Sequence, residues 1–523
     1  MRFFNTEGPI QPDIHYYLSP LERFDQDEVL ALIAARKYFV LHAPRQTGKT
    51  TCMLALVKAL NESGQYRALY ANVEVGQAAR EDVGAAMSAI LAQIALQAQL
   101  RLNDEFPQQF KTDALAAGGL SALNLMLSKW SAAAPLPLVI VFDEIDTLIG
   151  DTLISVLRQL RSGYPDRPAA FPQSVILCGV RDVQDYRIHY ASAKEVITGG
   201  SAFNIKAASW RLGNFTLADI RQLYAQHTAE TGQVFDEAVF PLVWELTAGQ
   251  PWLVNALAYE ACFRMAEGKD RAQPITGAII GRAKESLILR RDVHLDQLAD
   301  KLKEERVRRV IEPILSGKLK DEAIPPDDLK YTRDLGLVAP EGLPRIANRI
   351  YQEVIPRELT WSTQEFMVQE PAWYVAADGR LDMNKLLKAF QQYFRENSEA
   401  WLERFAYKEA GPQLLLQAFL QRIVNSGGEI RREYGLGRGR TDLLITWPYA
   451  NGVQRVVIEL KVARSAPDQI ITAGLAQTAE YMDRSGASEG HLVIFDRRRR
   501  KWSDKIFRRT RKHRGHSITV WGM

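Results

Sequence analysis

Hydrophobic and polar positions along this 523-residue chain change period several times, and each change marks an element. Residues 38–42, Tyr-Phe-Val-Leu-His, form an apolar run without alternation, the pattern of a strand covered on both faces. Helical spacing follows from Cys52 to Val57 and predicts a helix over 49–62. Apolar runs at 68–73, 137–142 and 174–179 predict further buried strands, and helical periodicity predicts helices at 25–34, 80–101, 119–130 and 151–161. Strands alternating with helices point to a parallel, doubly wound sheet. The pattern is then helical from 206 to about 285.

From 290 to 360, basic amphipathic helices precede Leu335-Gly336-Leu337-Val338, a turn at 339–342 and Arg345-Ile346-Ala347, an order that reads as winged-helix-like. Residues 361–395 read as a connector with a packing role. Beyond them a helix at 413–424 precedes a hairpin of 441–446 and 453–462 about Tyr449-Ala450-Asn451-Gly452, Asn-Gly being a strong hairpin signal. A helix at 467–484 and strands at 491–495 and 517–521 complete a small α/β module. The expected organisation is multidomain α/β: a parallel-sheet core at 1–210, a helical lid at 211–288, the winged-helix-like part at 289–360, the connector at 361–395 and the module at 396–523.

Composition narrows the class. The length supports several cores, and no apolar stretch or secretory leader is expected to engage a membrane. Cys52, Cys178 and Cys262 have neither disulfide nor zinc spacing, so a reducing cytoplasm is the expected setting. Net charge is only +4, yet residues 497–514 hold eleven Lys/Arg against the single Asp504, with Trp502 and Phe507 among them. Such a segment is either a solvated charge run or, lying between two predicted strands, a loop facing nucleic acid. Arg306-Val307-Arg308-Arg309 in the middle part offers a second basic candidate, or an internal packing element.

The first chemical signal is Ala43-Pro44-Arg45-Gln46-Thr47-Gly48-Lys49-Thr50-Thr51, set between the first strand and its helix. Backbone N–H groups in such a loop wrap phosphates at the positive end of the helix. Lys49 reaches the β/γ-phosphates of a nucleoside triphosphate and Thr50 offers its hydroxyl to Mg²⁺. Ala43 stands where the usual pattern has glycine. Asp143 and Glu144 end the acidic strand at the edge where α/β sheets bind ligands, Asp143 expected to hold the Mg²⁺ and Glu144 to polarise the attacking water.

A second constellation lies in the hairpin. Glu459 and Lys461 are two apart on a strand and share a face. A turn centred on 450–451 aligns Asp442 with Glu459, and two carboxylates so close require a cation between them. Mg²⁺ or Mn²⁺ suits these oxygens, with the Leu460 carbonyl as a third ligand and Lys461 beside the metal-bound water. The plainer alternative is an Asp–Lys–Glu surface network.

These residues resemble the PD-(D/E)XK, or restriction-endonuclease-like, nucleases. Gly439-Arg440-Thr441-Asp442 stands where such families carry Gly-Arg-x-Asp, Gln477 and Tyr481 are similar to their Gln-x-x-x-Tyr, and Glu409 is similar to an additional acid of these folds. The resemblance implies a catalytic role for Gln477, against its reading as a solvated helix residue. The front of the chain resembles AAA-like ATPases close to the STAND and archaeal-ATPase groups through the phosphate loop, Phe142-Asp143-Glu144-Ile145-Asp146, Cys178-Gly179-Val180-Arg181-Asp182 and Thr247-Ala248-Gly249-Gln250-Pro251. It implies that the Gly-x-Pro opens a lid helix near the phosphates. It also implies that Arg181 senses the γ-phosphate or reaches across a subunit boundary, the alternatives being a solvated arginine or a partner of Asp182.

The combined expectation is an ATP-hydrolysing protein with an Mg²⁺-dependent endonuclease-like domain whose cleavage of DNA is gated by nucleotide state, in defence against or control of mobile DNA. RNA stays open as a substrate, self-association through the ATPase domain is expected, and no membrane is involved. The alternatives are a STAND-like signalling switch whose last domain only binds nucleic acid or a partner, and a transcription regulator acting through the winged helix.

Overall fold

The computed structural model describes residues 1–182, 187–189, 196–198, 204–290, 300–316, 324–359, 374–404, 411–424, 428–431, 443–463, 467–498 and 500–523. Two compact units emerge, one of Met1–His294 with Lys330–Gly342 and Ala347–Arg349, the other of Leu295–Leu329, Leu343–Ile346 and Ile350–Met523.

In the first unit, strands and helices alternate: α1 Gln26–Ala34, β1 Tyr38–His42, α2 Lys49–Glu62, β2 Arg67–Asn72, α3 Val83–Leu102, α4 Phe106–Ala116, α5 Ala122–Ala133, β3 Leu138–Asp143, α6 Gly150–Ser162, β4 Ser174–Gly179 and β5 Lys206–Arg211. The strands lie in the order β2-β3-β4-β1-β5 and every neighbouring pair is parallel. Helices α3 to α6 cover one face around Trp130, Phe142 and Phe171. On the other face α1 and α2 pack Val29, Ile33, Cys52 and Met53 against Phe39, Leu41 and Val141. Burial on both faces explains the unbroken apolar runs of β1, β3 and β4.

Contrary to the sequence reading, one helix among those described, Val83–Leu102, is long and apolar enough to cross a membrane. Its Met87, Ile90, Leu91 and Ile94 are buried in the core beneath the sheet. A ribbon of core contact on an alanine-rich helix raises mean hydropathy as a membrane span does.

Helices α7 Leu217–Thr231, α8 Val239–Thr247, α9 Pro251–Tyr259 and α10 Gly277–Arg290 follow. A capping box between Thr216 and Asp219 starts α7. Phe4 and Tyr16, near the N-terminus, pack on Tyr224 and His227 of this helix. Helices α11 Glu305–Ser316, α12 Pro326–Asp334 and α13 Arg349–Leu359 come next. The two wing strands expected at 335–338 and 345–347 do not form. Only Val338 and Ile346 have bridge character, with one bond from Ala347 N to Leu337 O of 2.9 Å. Pro340 and Pro344 between them lack the N–H a ladder needs.

In the second unit, α14 Met383–Arg404 and α15 Gly411–Val424 precede a six-stranded mixed sheet: β6 Glu429–Arg431, β7 Leu443–Tyr449, β8 Gly452–Ala463, β9 Glu489–Asp496, β10 Phe507–His513 and β11 His516–Gly522, with α16 Pro467–Ser485 after β8. The order is β6-β7-β8-β9-β11-β10, parallel at β8–β9 and β9–β11 and antiparallel elsewhere. Leu386, Phe390 and Phe394 of α14 share one core with Ile445, Ile458, Phe495 and Trp521. The stretch read as a connector therefore supplies the domain's first core helix. On the opposite face α16 sets Leu475, Ala479 and Tyr481 against Leu492, Ile494 and Val520.

A further correction concerns the basic segment. Residues 507–513 are an edge strand paired with β11 from Phe507–Gly522 to His513–His516, not a loop. Its aromatics are engaged internally: Trp502 packs 6.1 Å from the Phe394 ring, and Phe507 is half-buried against the α16 face. They are spent on packing and do not stand ready to stack on bases.

Candidate functional site

The loop after β1 turns through two left-handed positions, Gln46 at φ 58° and Gly48 at φ 89°. Gly48 caps α2, and a Cβ there would meet Arg23 Nη1 at 2.7 Å. Ala43 replaces the customary glycine without strain, because it is fully buried and joins the core beside Cys52. Lys49 is 5% exposed and donates from Nζ to the carbonyls of Ala43 at 3.0 Å and Pro44 at 3.1 Å. Its ammonium thus rests on loop oxygens that phosphate oxygens would replace.

The acidic strand lies two places from β1, beyond β4. Asp143 is fully buried, and three donors fix it: Thr50 Oγ1 at 2.8 Å and Tyr70 OH at 2.8 Å on Oδ2, and Glu144 N at 2.9 Å on Oδ1. Burial and the neighbouring carboxylate push the Tyr70 phenol up, so it stays a donor. Glu144 has φ 58°, and burial raises its carboxyl above the usual range against the opposing pull of Lys49. The structure thus brings Lys49, Thr50, Asp143 and Glu144 together. Thr50 hydroxyl and Asp143 carboxylate are adjacent hard oxygens, a donor set that fits Mg²⁺.

Arg181 makes contacts of its own. It follows β4 and lies 4.7 Å above the Tyr331 ring, with Nε 4.0 Å from Asp334. Asp182 instead pairs with Lys206 at 2.5 Å. The alternative of an Asp182 partner yields to a contact with residues 331–334, which sequence separation concealed.

Gly249 stands at φ 71°, and a Cβ there would lie 1.9 Å from Phe215 O. Pro251 opens α9, Gln250 caps it by accepting from Leu253 N at 2.6 Å, and Gln250 Nε2 lies 3.4 Å from Gln46 O on the phosphate loop. The expected placement of Gly-x-Pro beside that loop is therefore present. Arg23 bonds Thr47 O and, at 2.6 Å, Gly213 O, tying the same loop to the entry of α7. Between these parts lies a cavity of about 130 Å³ lined by Thr6, Ile10, Tyr16, Gly48, Phe215, Trp252 and others. Arg23 and Tyr70 escaped the sequence reading because their roles depend on neighbours in space.

In the second unit the hairpin register runs from Leu443–Ile458 to Tyr449–Gly452, with the turn at 450–451 as expected. Asp442, Gly439, Arg440, Thr441 and Glu409 lie outside the described residues. Glu459 is fully buried and Lys461 Nζ is 2.7 Å from its Oε1, both on the α16 face with their β9 partners Leu492 and Ile494. Leu460 alternates to the other face and joins the α14 core. Gln477 is half-buried on α16, whereas Tyr481 is 5% exposed and packs in the apolar cluster. Among the described residues no three His, Cys, Asp or Glu cluster as metal ligands.

A family described as a domain of unknown function, DUF8371, matches residues 383–499. No curated protein matches the chain. Among solved structures, the Walker-type ATPase of Pyrococcus abyssi is similar at 15% identity and a TM-score of 0.47, covering 67% of this chain and 99% of that one. Cdc6p from Pyrobaculum aerophilum is similar at 14% identity and a TM-score of 0.39, covering 74% and 97%. The RuvB Holliday junction branch migration motor of Thermotoga maritima is similar at 14% identity and a TM-score of 0.32, covering 66% and 94%.

Proposed function

We propose that the first unit binds and hydrolyses ATP. The observation that carries this reading is the convergence of a buried lysine, a hydroxyl and two strand-end acids at one helix N-terminus beside an aromatic-lined cavity. The loop amides and Lys49 hold the triphosphate, and the cavity takes the base. Tyr70 and the Glu144 amide keep Asp143 oriented, and Glu144 accepts a proton from the attacking water. Mg²⁺ held near Thr50 and Asp143 supplies neutralisation of phosphate charge. The decisive experiment is nucleotide binding and phosphate release by the purified chain. Lys49→Ala should abolish both, and Glu144→Gln should keep binding while slowing release by about 10²-fold or more. Full turnover by Lys49→Ala would sink the assignment.

A second reading concerns the other unit, where Glu459 and Lys461 are paired on one face of a strand followed by a helix. The sequence spacing offers Asp442 as the second acid beside Glu459. The proposal is a metal-dependent nuclease whose cleavage of DNA answers to nucleotide state, with the exposed cations of β10 as the contact surface. Plasmid incubated with Mg²⁺ or Mn²⁺ tests it: the wild type should nick, and Glu459→Gln should not. Retarded but uncut DNA would favour a binding module instead.

A further inference from the structure

From Ala43 to Thr51 the phosphate loop is buried or half-buried at every residue except Arg45, which is exposed. The root of this side chain is fixed. Pro44 O accepts from Thr47 Oγ1 at 2.8 Å and from Lys49 Nζ at 3.1 Å, and Gln46 turns the backbone at φ 58°. Gly336 also closes on Pro44, where a Cβ would lie 2.8 Å from Pro44 Cβ. The head group is not fixed: among the described residues no hydrogen bond, ion pair or aromatic face engages the Arg45 guanidinium. Burial raises the Glu144 carboxyl, and the two cations whose fields oppose it are Lys49 and Arg45. Arg45 therefore lies within Coulombic reach of the acid assigned to the attacking water. Arg181, the other cation weighed for the γ-phosphate, lies over the Tyr331 ring with Nε 4.0 Å from Asp334.

We propose that Arg45 is a catalytic residue of ATP hydrolysis, its guanidinium donating to the γ-phosphate oxygens of the nucleotide held by its own loop. This rests on the ATP reading of the first unit and adds a residue to its chemistry. Water oxygen bonds to the γ-phosphorus, the bond to the β–γ bridging oxygen breaks with its electron pair leaving on ADP, and the water proton passes to Glu144. Negative charge on the transferring group is spread over three equatorial oxygens, and a planar fork of donors meets two of them at once. An exposed guanidinium gains little from a phosphate in the ground state, where it exchanges hydration for contact. Its gain comes in the transition state, as charge develops in a site that water has left. The cation thus acts on rate and not on affinity.

The test pairs steady-state hydrolysis with equilibrium binding of ATP, using the full-length protein and Mg²⁺. Arg45→Ala should lower kcat by about 10³-fold and bind ATP within about threefold of the wild type. Arg45→Lys, which keeps the charge and loses the fork, should fall between the two. Guanidinium chloride below denaturing concentration should restore part of the Arg45→Ala rate, and sodium chloride at equal ionic strength should not. ADP with aluminium fluoride, a mimic of the transferring phosphoryl group, should bind the wild type more tightly than ADP alone but not Arg45→Ala. An unchanged kcat in Arg45→Ala overturns the proposal while leaving the ATP site standing, as does a loss confined to ATP affinity. Absence of hydrolysis by the wild type removes the ATP reading and this inference together.

Discussion

The chemistry of Glu144 depends on its surroundings. Its carboxyl sits above the usual range chiefly through burial, with Asp146 and Asp143 adding to the effect and Lys49 opposing it. The folded state thus holds its proton more tightly than the unfolded chain. Its contribution to stability is fully present below the ordinary carboxylate value and is lost as pH rises through the raised one. The proposed role of Glu144 needs the other form, so on that proposal the rate of ATP hydrolysis should climb through that same window. A rate profile that matches an ordinary exposed carboxylate would contradict the assigned role, and Glu144→Gln should flatten the stability change. Lys49, Thr50, Asp143 and Glu144 were legible from the chain because a contiguous loop and a strand end carry them. Tyr70 was not, since only strand pairing between β2 and β3 sets its hydroxyl on Asp143.

At the level of elements, Gly249 is the point where the turn before α9 meets the segment that enters α7. Gly249→Ala would drive a methyl into the Phe215 carbonyl while forcing an L residue to φ 71°. A loss of about 3 kcal/mol is expected, read as a lowered denaturation midpoint, together with weaker nucleotide binding. The edge strand β10 carries exposed Arg509, Arg511 and Lys512. If it contacts DNA, reversing these three to Glu should lower affinity for unrelated sequences alike and flatten the salt slope by about one per cation. An unchanged slope would assign the cations to keeping a sheet edge from pairing with other chains. Sequence periodicity found α2 over its full length and β4 to the residue. It missed α4, β5 and β10, and the reason is physical for the two strands. Both lie at sheet edges, and neither needs an apolar run when hydrogen bonds to a neighbour hold it.

For the whole molecule, division into two compact units predicts more than one unfolding transition. ATP at about a hundred times its dissociation constant should stabilise the first unit by about 2.7 kcal/mol. Calorimetry should show one transition moved upward by nucleotide, and the same transition unmoved by it in Lys49→Ala. A uniform shift of all transitions would contradict a ligand site confined to one unit. The last domain is also larger than its sequence pattern suggests, since α14 from Met383 onward belongs to its core.

By itself the chain determined the phosphate loop, the buried parallel strands, the hairpin register and the shared face of Glu459 and Lys461. Each depends on spacing along a few neighbouring residues, where covalent geometry leaves little choice. Tertiary structure alone decided the engagement of Arg181 with the 331–334 segment, the unformed wing and the strand made from the basic tail. Those outcomes depend on which distant groups compete for a hydrogen bond, a charge or an apolar surface, and local pattern carries no record of that competition.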